Sequence, residues 1–563
     1  MTTYAVEAGR RARGTLPRVA SWLEDVRPAT LLVPAIVLQW VLILALALTV
    51  QHNGWLYYQG GDQLWYYVSG WLAAHGHVAP GFVGPGWPAV LAPISLFGGP
   101  TLVPALPAIV LLNVLVFGPI ELLCVYGIAR QIGGKIFAYW ATALWLAVPF
   151  IGIKYTDYLY HQRYTELTLP QAFGLTAMAD YPSMVAVLVS VYFTLRVAKR
   201  PDVIEALAAG LAAGLVIATK PSNAVYLLGV VLILAWRRRY RMASYFIVGL
   251  APATLTLALW KYRGLGYLPL FHSSAAVAHL AAAGSGQGLV AFNPLHHYLN
   301  FNWGQLNENL LEIKEHFWSM RIIEWMVIAG FIGLGRRSFA ALLLVGGWFA
   351  AFVVTKGTYP NADVTDSSLL RIMMPSFPAF VLLIASLVYL FPRRRRTRVE
   401  PEIRRAPLRR RRALLGAGVA VFALYPLALV AAASPLRGPS PAAYQFQGLL
   451  RSVDPALRLS ATASGGLVHL TWRPSQPSAA AVFYRIWRSN ASNGGASCSP
   501  VANAADNCQL SMDDIGAHPG NSFVDKPGPG TWTYRLALAA NWENSPLYGD
   551  VFSVGLPVTV KVG

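Results

Sequence analysis

The fold class that the sequence predicts is a polytopic α-helical membrane bundle of about eleven transmembrane helices followed by a C-terminal all-β sandwich. Three observations predict it. Apolar runs of about 20 residues, the length that crosses a hydrocarbon layer, recur between residues 30 and 433. Basic residues gather in short clusters between alternate runs. From residue 455 the pattern changes to short tracts rich in β-branched and aromatic residues, separated by Gly, Pro, Ser and Asn.

The basic clusters set the expected orientation. The chain carries a net charge of +20, which by itself would suggest nucleic acid. Its distribution argues against that partner. Of the 45 Lys and Arg, 27 fall in segments 1–29, 130–135, 196–200, 237–241, 336–337 and 393–412, the positions that alternate helices leave on one side. Such asymmetry marks cytoplasmic loops. The N-terminus, 1–29, is therefore expected in the cytoplasm, the β domain outside it, and the bundle in the plasma (inner) membrane. The first apolar run, residues 31–50, is too long for a signal-peptide core and is read as a retained helix. The run 393–412 holds 11 arginines and reads as a topology anchor for anionic headgroups.

Taken in order, the first span leads outward to a loop at 51–101. Its tracts 62–77 and 87–97 read as amphipathic helices on the membrane face. Apolar runs at 102–128 and 136–153 go in and out, to a second outer loop at 154–179. Further spans follow at 180–196, 203–219, 222–236 and 243–260. A long outer segment, 261–320, contains an acidic, aromatic helix near 303–318. Spans at 322–335 and 338–355, an outer loop at 356–368, and spans at 369–391 and 413–433 complete the bundle. Residues 434–454 read as a linker. Residues 455–563 form the β domain, in which Cys498 and Cys508 are expected to form a disulfide if they face an oxidising compartment. No CxxC pair, HExxH or P-loop is present.

The residues that stand out are ionisable groups placed beside membrane helices, where charge is costly and marks function. Asp62 is the one acid in an aromatic, cation-free stretch, QHNGWLYYQGGDQLWYYVSGW, with Tyr58, Trp65 and Tyr66 as candidate pocket walls. It also suits a helix N-cap. Asp180 opens a span on the same face, as a second carboxylate that positions an acceptor or as an N-cap before Pro182. Lys220, at the outer end of GLAAGLVIATKP, and Arg371, in SSLLRIMMPSFP, are cations suited to a phosphate. For Lys220 snorkelling stays open, and for Arg371 an ion pair with Asp363 or Asp366. His161, Arg163, His272 and Lys356 share that face. Glu121, inside a span, is expected to pair within the bundle.

An Asp in the first outer loop after GG, a Gly-rich helix ending in TKP and a late LLRIMMPSFP helix together resemble the GT-C superfamily of integral-membrane glycosyltransferases. Protein O-mannosyltransferases and lipid A aminoarabinose transferases belong to it. The resemblance covers roughly residues 30–430. It implies a polyprenyl-phosphate-linked sugar donor, a lipid, glycan or protein acceptor on the outer face, and inverting transfer. By position Asp62 matches the catalytic Asp, and Lys220 and Arg371 match basic positions near the donor phosphate. Many relatives carry a second acid after that Asp, where this chain has Gln63. A divalent cation, Mg or Mn, held by Asp62 and Asp180, stays an open expectation. The tail resembles a fibronectin type III-like sandwich, with Trp472 as core Trp, Tyr484 on the central strand and Tyr534 on the tyrosine-corner strand. The alternatives are a lipid-linked-sugar flippase or transporter, against which the lack of an internal repeat speaks, and a nonenzymatic envelope assembly protein.

Overall fold

The structure is a computed structural model. It describes residues 21–49, 62–78, 83–98, 102–155, 169–265, 268, 301–316, 320–360, 362–364, 368–391, 409–435, 452–453, 457–473, 482–490, 513–518, 520–540 and 551–563. The helical part runs α1 (Pro28–Thr49), α2 (Asp62–Ala74), α3 (Gly86–Gly98), α4 (Leu102–Leu112), α5 (Gly118–Gly133), α6 (Lys135–Tyr155), α7 (Pro170–Phe173), α8 (Asp180–Lys199), α9 (Val203–Thr219), α10 (Leu227–Trp236) and α11 (Tyr240–Leu265). It continues with α12 (Trp303–His316), α13 (Met320–Arg337), α14 (Phe339–Gly357), α15 (Ser368–Met373), α16 (Phe377–Ala385) and α17 (Arg409–Ala432).

Among the described residues, seven helices are long and apolar enough to cross a membrane, and three shorter apolar helices, Gly86–Gly98, Val203–Thr219 and Pro221–Trp236, accompany them. The chain is a multi-pass membrane protein. Two of the expected spans are less regular than the sequence suggests. The run at 102–128 is broken by a π turn, Asn113–Phe117, that joins α4 to α5. The run at 222–236 opens with a 3₁₀ turn, Pro221–Tyr226, because Pro221 at its start has no N–H to continue α9.

Close helix contact rests on small residues, as it does where lipid removes any hydrophobic drive between helices. A methyl group built at Gly210 on α9 would fall 1.9 Å from the Phe246 carbonyl oxygen of α11. The basic helix ends converge at one face of the bundle. There Arg196 donates from Nε to Glu205 Oε1 at 2.8 Å, Arg239 to the Ala198 carbonyl at 3.4 Å, and Arg336 to the Leu390 carbonyl at 3.2 Å. Arg412 pairs with Asp202 at 3.0 Å. The candidate acids and cations of α8, α9 and α14 lie at the opposite ends of these helices.

The expected surface helix at 62–77 is more enclosed than an amphipathic helix on a membrane face. Gln63, Tyr66, Tyr67, Gly70 and Trp71, at helical spacing, are all buried, and α2 packs along α3. Beyond α2 the chain forms β1 (His77–Val78), which pairs in parallel with β2 (Ser434–Pro435), immediately after α17. The Ser434 N–H donates to the Gly76 carbonyl at 2.7 Å. The stretch read as a linker from 434 is therefore fastened to the first outer loop at its start. Its end is not free either: β3 (Ser452–Val453) already pairs within the β domain.

That domain contains two sheets. One is β4 (Leu459–Ser464), β5 (Leu467–Trp472) and β8 (Ser522–Asp525), in that order. The other is β3, β10 (Val551–Val554), β9 (Gly530–Ala540), β6 (Val482–Asn490) and β7 (Asp513–His518), with β11 (Val558–Val562) also on β9. Leu459, Val468, Leu470 and Trp472 of the first sheet meet Tyr484, Ile486, Tyr534 and Leu536 of the second in one core, which makes the pair a sandwich. Trp472 and Tyr484 sit 5.4 Å apart between ring centroids. The Tyr534 hydroxyl donates to Asp525 Oδ2 at 2.7 Å, where a tyrosine corner would address backbone. Burial and this contact raise the Tyr534 pKa. Cys498 and Cys508 lie outside the described residues.

The α9–α11 contact makes a prediction. Gly210→Leu should destabilise the bundle by about 1–3 kcal/mol, the usual cost of overpacking, read as a lower unfolding temperature in detergent. An unchanged unfolding temperature would contradict backbone-close packing there.

Candidate functional site

The site is built where two helices of similar length end side by side. α8 runs 20 residues from Asp180, turns, and returns as the 17 residues of α9, so Asp180 and the residue after Thr219 come level. That residue is Lys220, and its ammonium group forms an ion pair with Asp180 Oδ1. The side chains are 18% and 2% exposed for Lys220 and Asp180, so the pair is largely out of water. Each charge also suits its helix end, the carboxylate at the N-terminus of α8 and the ammonium at the C-terminus of α9. The N-cap of α8 is Ala179, not Asp180, so the capping alternative for Asp180 does not hold.

The 3₁₀ turn after Lys220 repeats the contact. Residues three apart eclipse in this helix type, which places Asn223 and Tyr226 in line with Lys220. Asn223 Nδ2 donates to Ser183 Oγ at 2.9 Å, and the Tyr226 hydroxyl to Ser190 Oγ at 2.9 Å. The ion pair is the outermost rung of a polar ladder between α8 and the α9 end. Lys356, in the last turn of α14, is 5% exposed and lies within electrostatic reach of both Lys220 and Asp180.

A roof made by α2 and α3 closes over this end. Methyl groups built at Gly84 and Gly86 would fall 1.9 Å from the Ala218 carbonyl oxygen and 2.3 Å from Thr219 Oγ1, so only glycine admits the loop this close to Lys220. Trp87 Nε1 donates to the Ala177 carbonyl at 2.8 Å. On the other side of the same residue, the Ala177 N–H donates to Gln63 Oε1 at 3.0 Å. Both roof helices therefore grip the loop that presents Asp180 three residues later. Asn113, in the π turn, donates from Nδ2 to the Gly174 and Thr176 carbonyls at 2.9 and 3.0 Å and holds the same loop from below. π turns recur at functional sites, and a lone Asn in an apolar run was the sequence signal for this one. Lys261, also not singled out from sequence, donates to the Val83 carbonyl at 3.2 Å and steadies the glycine loop.

The remaining candidates divide plainly. Asp62 is the first residue of α2, beside Gln63, and its side chain lies outside the described ones, as does that of Trp65. Tyr66 is buried in the apolar core of α2, α3 and α4 rather than lining a pocket, because it shares a helix face with Gln63 and Tyr67. Arg371 stands on α15, half-buried, and the turn Met374–Ser376 that continues α15 packs on α8. Tyr58, His161, Arg163 and His272 lie outside the described residues. Glu121 is internal and paired as expected: it accepts from the Tyr181 hydroxyl at 2.6 Å, from Gln39 Nε2 at 3.4 Å and from Trp145 Nε1.

The arrangement suits an anion better than a metal. Asp180, the expected second carboxylate, has its Oδ1 taken by an ammonium group, and a cation in contact is a poor neighbour for a divalent ion. Among the described residues no three His, Cys, Asp or Glu side chains converge.

The sequence matches no protein-family model and no curated protein. Among solved structures it is similar to ArnT from Cupriavidus metallidurans bound to undecaprenyl phosphate, at 17% identity and a TM-score of 0.40, over 62% of this chain and 59% of that one. It is also similar to the archaeal oligosaccharyltransferase AglB from Archaeoglobus fulgidus in complex with an inhibitory peptide and a dolichol-phosphate. There the identity is 13% and the TM-score 0.39, over 71% of this chain and 55% of that one. The chain thus spans 59% and 55% of the lengths of these two structures.

The ion pair makes a stability prediction. Lys220→Met should cost about 3–5 kcal/mol, because it strands a buried carboxylate. Adding Asp180→Asn should recover part of that loss, as measured by thermal unfolding. A double variant no more stable than Lys220→Met would contradict the pairing.

Proposed function

We propose that the chain is a membrane glycosyltransferase that moves a sugar from a polyprenyl-phosphate-linked donor to a lipid, glycan or protein acceptor on the outer face. The observation that carries this reading is the largely buried Asp180–Lys220 pair with Lys356 beside it, two lysine side chains against one carboxylate at the end of the bundle opposite the arginine clusters. A lipid phosphate at this level of the bilayer would bring its anionic oxygens to the two lysine side chains. The sequence resemblance to the GT-C superfamily points the same way. By the positive-inside rule this end faces outward.

In the proposed reaction Asp62 takes the proton of the acceptor hydroxyl or amine as that atom attacks the anomeric carbon. The bond from that carbon to the phosphate oxygen breaks, and its electron pair leaves with the lipid phosphate. Attack from the face opposite the leaving group inverts the anomeric centre. Lys220, Lys356 and Arg371 offset the charge gathering on the phosphate, so the step is helped where charge develops. Phosphate is a weakly basic leaving group, and no general acid is required. Asp180 keeps Lys220 in place, and its loop forms part of the wall toward the acceptor. Cys498 and Cys508 are proposed to form a disulfide in the extracytoplasmic β domain.

Purified protein supplied with a radiolabelled polyprenyl-phosphate sugar should form a glycosidic product. Asp62→Asn should lower turnover about 10²–10⁴-fold, the usual contribution of a general base, with donor binding retained. Full turnover in that variant would remove Asp62 from this role. Lys356→Met should raise the KM for donor about tenfold or more, in line with the loss of a charge-assisted contact. A KM equal to wild type would exclude Lys356 from the phosphate site.

A further inference from the structure

We infer that Gln63 binds the donor phosphate, its side-chain Nε2–H group donating to a phosphate oxygen while Oε1 holds the loop of Asp180. The inference rests on the reading above and adds to it a neutral ligand that the motif resemblance does not supply. Gln63 is completely buried. Its Oε1 accepts the Ala177 N–H at 3.0 Å, and its Nε2 is buried with no hydrogen-bond partner among the described residues. The amide cannot exchange its ends, because Nε2 in place of Oε1 would set donor against donor at the Ala177 N–H. Trp87 holds Ala177 from its carbonyl side, so the peptide cannot turn to relieve the clash.

A buried donor without an acceptor is a standing cost, and structures keep few of them. This one sits one residue from Asp62, on the helix whose grip reaches the Asp180 loop. Beyond that loop Lys220 and Lys356 stand against the single carboxylate of Asp180, a set of nitrogen donors suited to an anionic ligand. An amide N–H complements a phosphate oxygen without adding charge. A carboxylate in the same place would set a second negative charge against both the phosphate and the neighbouring acids. The replacement of a second acid by Gln63 is then a gain of a phosphate contact rather than a loss of a metal ligand.

The test measures binding of undecaprenyl phosphate to the full chain in lipid nanodiscs, for wild type, Gln63→Glu and Gln63→Met, at near-neutral and mildly acidic pH. Gln63→Glu keeps the acceptor for Ala177 and, at near-neutral pH, puts a negative charge in place of the donor. Its affinity should fall about tenfold or more at near-neutral pH, and recover as the introduced carboxyl protonates, against the wild-type titration as baseline. Gln63→Met, of similar volume, should lose binding at both pH values. A purely structural role would impair Gln63→Met alone. Wild-type affinity in Gln63→Glu at both pH values would overturn the inference and leave the transferase reading standing. Should Gln63→Glu not fold, unchanged affinity in folded Gln63→Met would overturn it equally. Wild-type protein that binds no undecaprenyl phosphate would overturn both.

Discussion

The ion pair between Asp180 and Lys220 is the constraint on which the rest of the membrane-surface structure depends. Two charges removed from water repay their desolvation only where geometry and neighbouring polar groups hold them closely. Here the neighbours are specific. The 3₁₀ turn behind Lys220 lines up Asn223 and Tyr226 against Ser183 and Ser190, so the two helices are stitched for several turns below the pair. Gly84 and Gly86 let the roof come within contact of Ala218 and Thr219. Ala177 is gripped by Gln63 on one side and Trp87 on the other. Each of these contacts fixes one partner of the pair or the backbone that carries it.

The roof is in turn anchored at its far end. The β1–β2 bridge joins the turn after α2 to the residues that follow α17, and Arg263 donates to the Ala433 carbonyl beside it. Trp260, Val430 and Ala433 pack with Ala73 and Val78 into a small apolar cluster beneath the bridge. The helix that begins with Asp62 and Gln63 is thus held at one end by the Asp180 loop and at the other by the chain that leads toward the β domain.

Much of this was legible in the sequence. Apolar run length and arginine clusters place α1, α5, α8, α11, α14 and α17, and the apolar spacing after Asp62 gives the helix α2, though as a helix lying on the membrane face rather than the enclosed one observed. Asp180 and Lys220 each stood out as charges beside membrane helices, yet not as partners. Their meeting follows from two helices of nearly equal length joined by a short turn, which gives each residue the same height. Asn113 shows in the sequence only as a lone Asn in an apolar run; the π turn that turns it toward the Asp180 loop shifts the helical register, which no apolar pattern announces. Tyr66 was read as a pocket wall because aromatic residues suit an interface; the burial of Gln63 and Tyr67 on the same face turns it into core. Strands at 434–435 and 452–453 were missed because parallel pairing over such separations leaves no local signal.

The central claim is that the Asp180–Lys220 pair, with Lys356, receives a lipid phosphate beneath the α2–α3 roof. Cryo-electron microscopy of the full chain in nanodiscs containing undecaprenyl phosphate tests this directly. The account predicts phosphate density in contact with the Lys220 and Lys356 ammonium groups and with Asp180 still paired to Lys220. Lipid phosphate bound elsewhere on the bundle, with these lysines buried against protein alone, would contradict it.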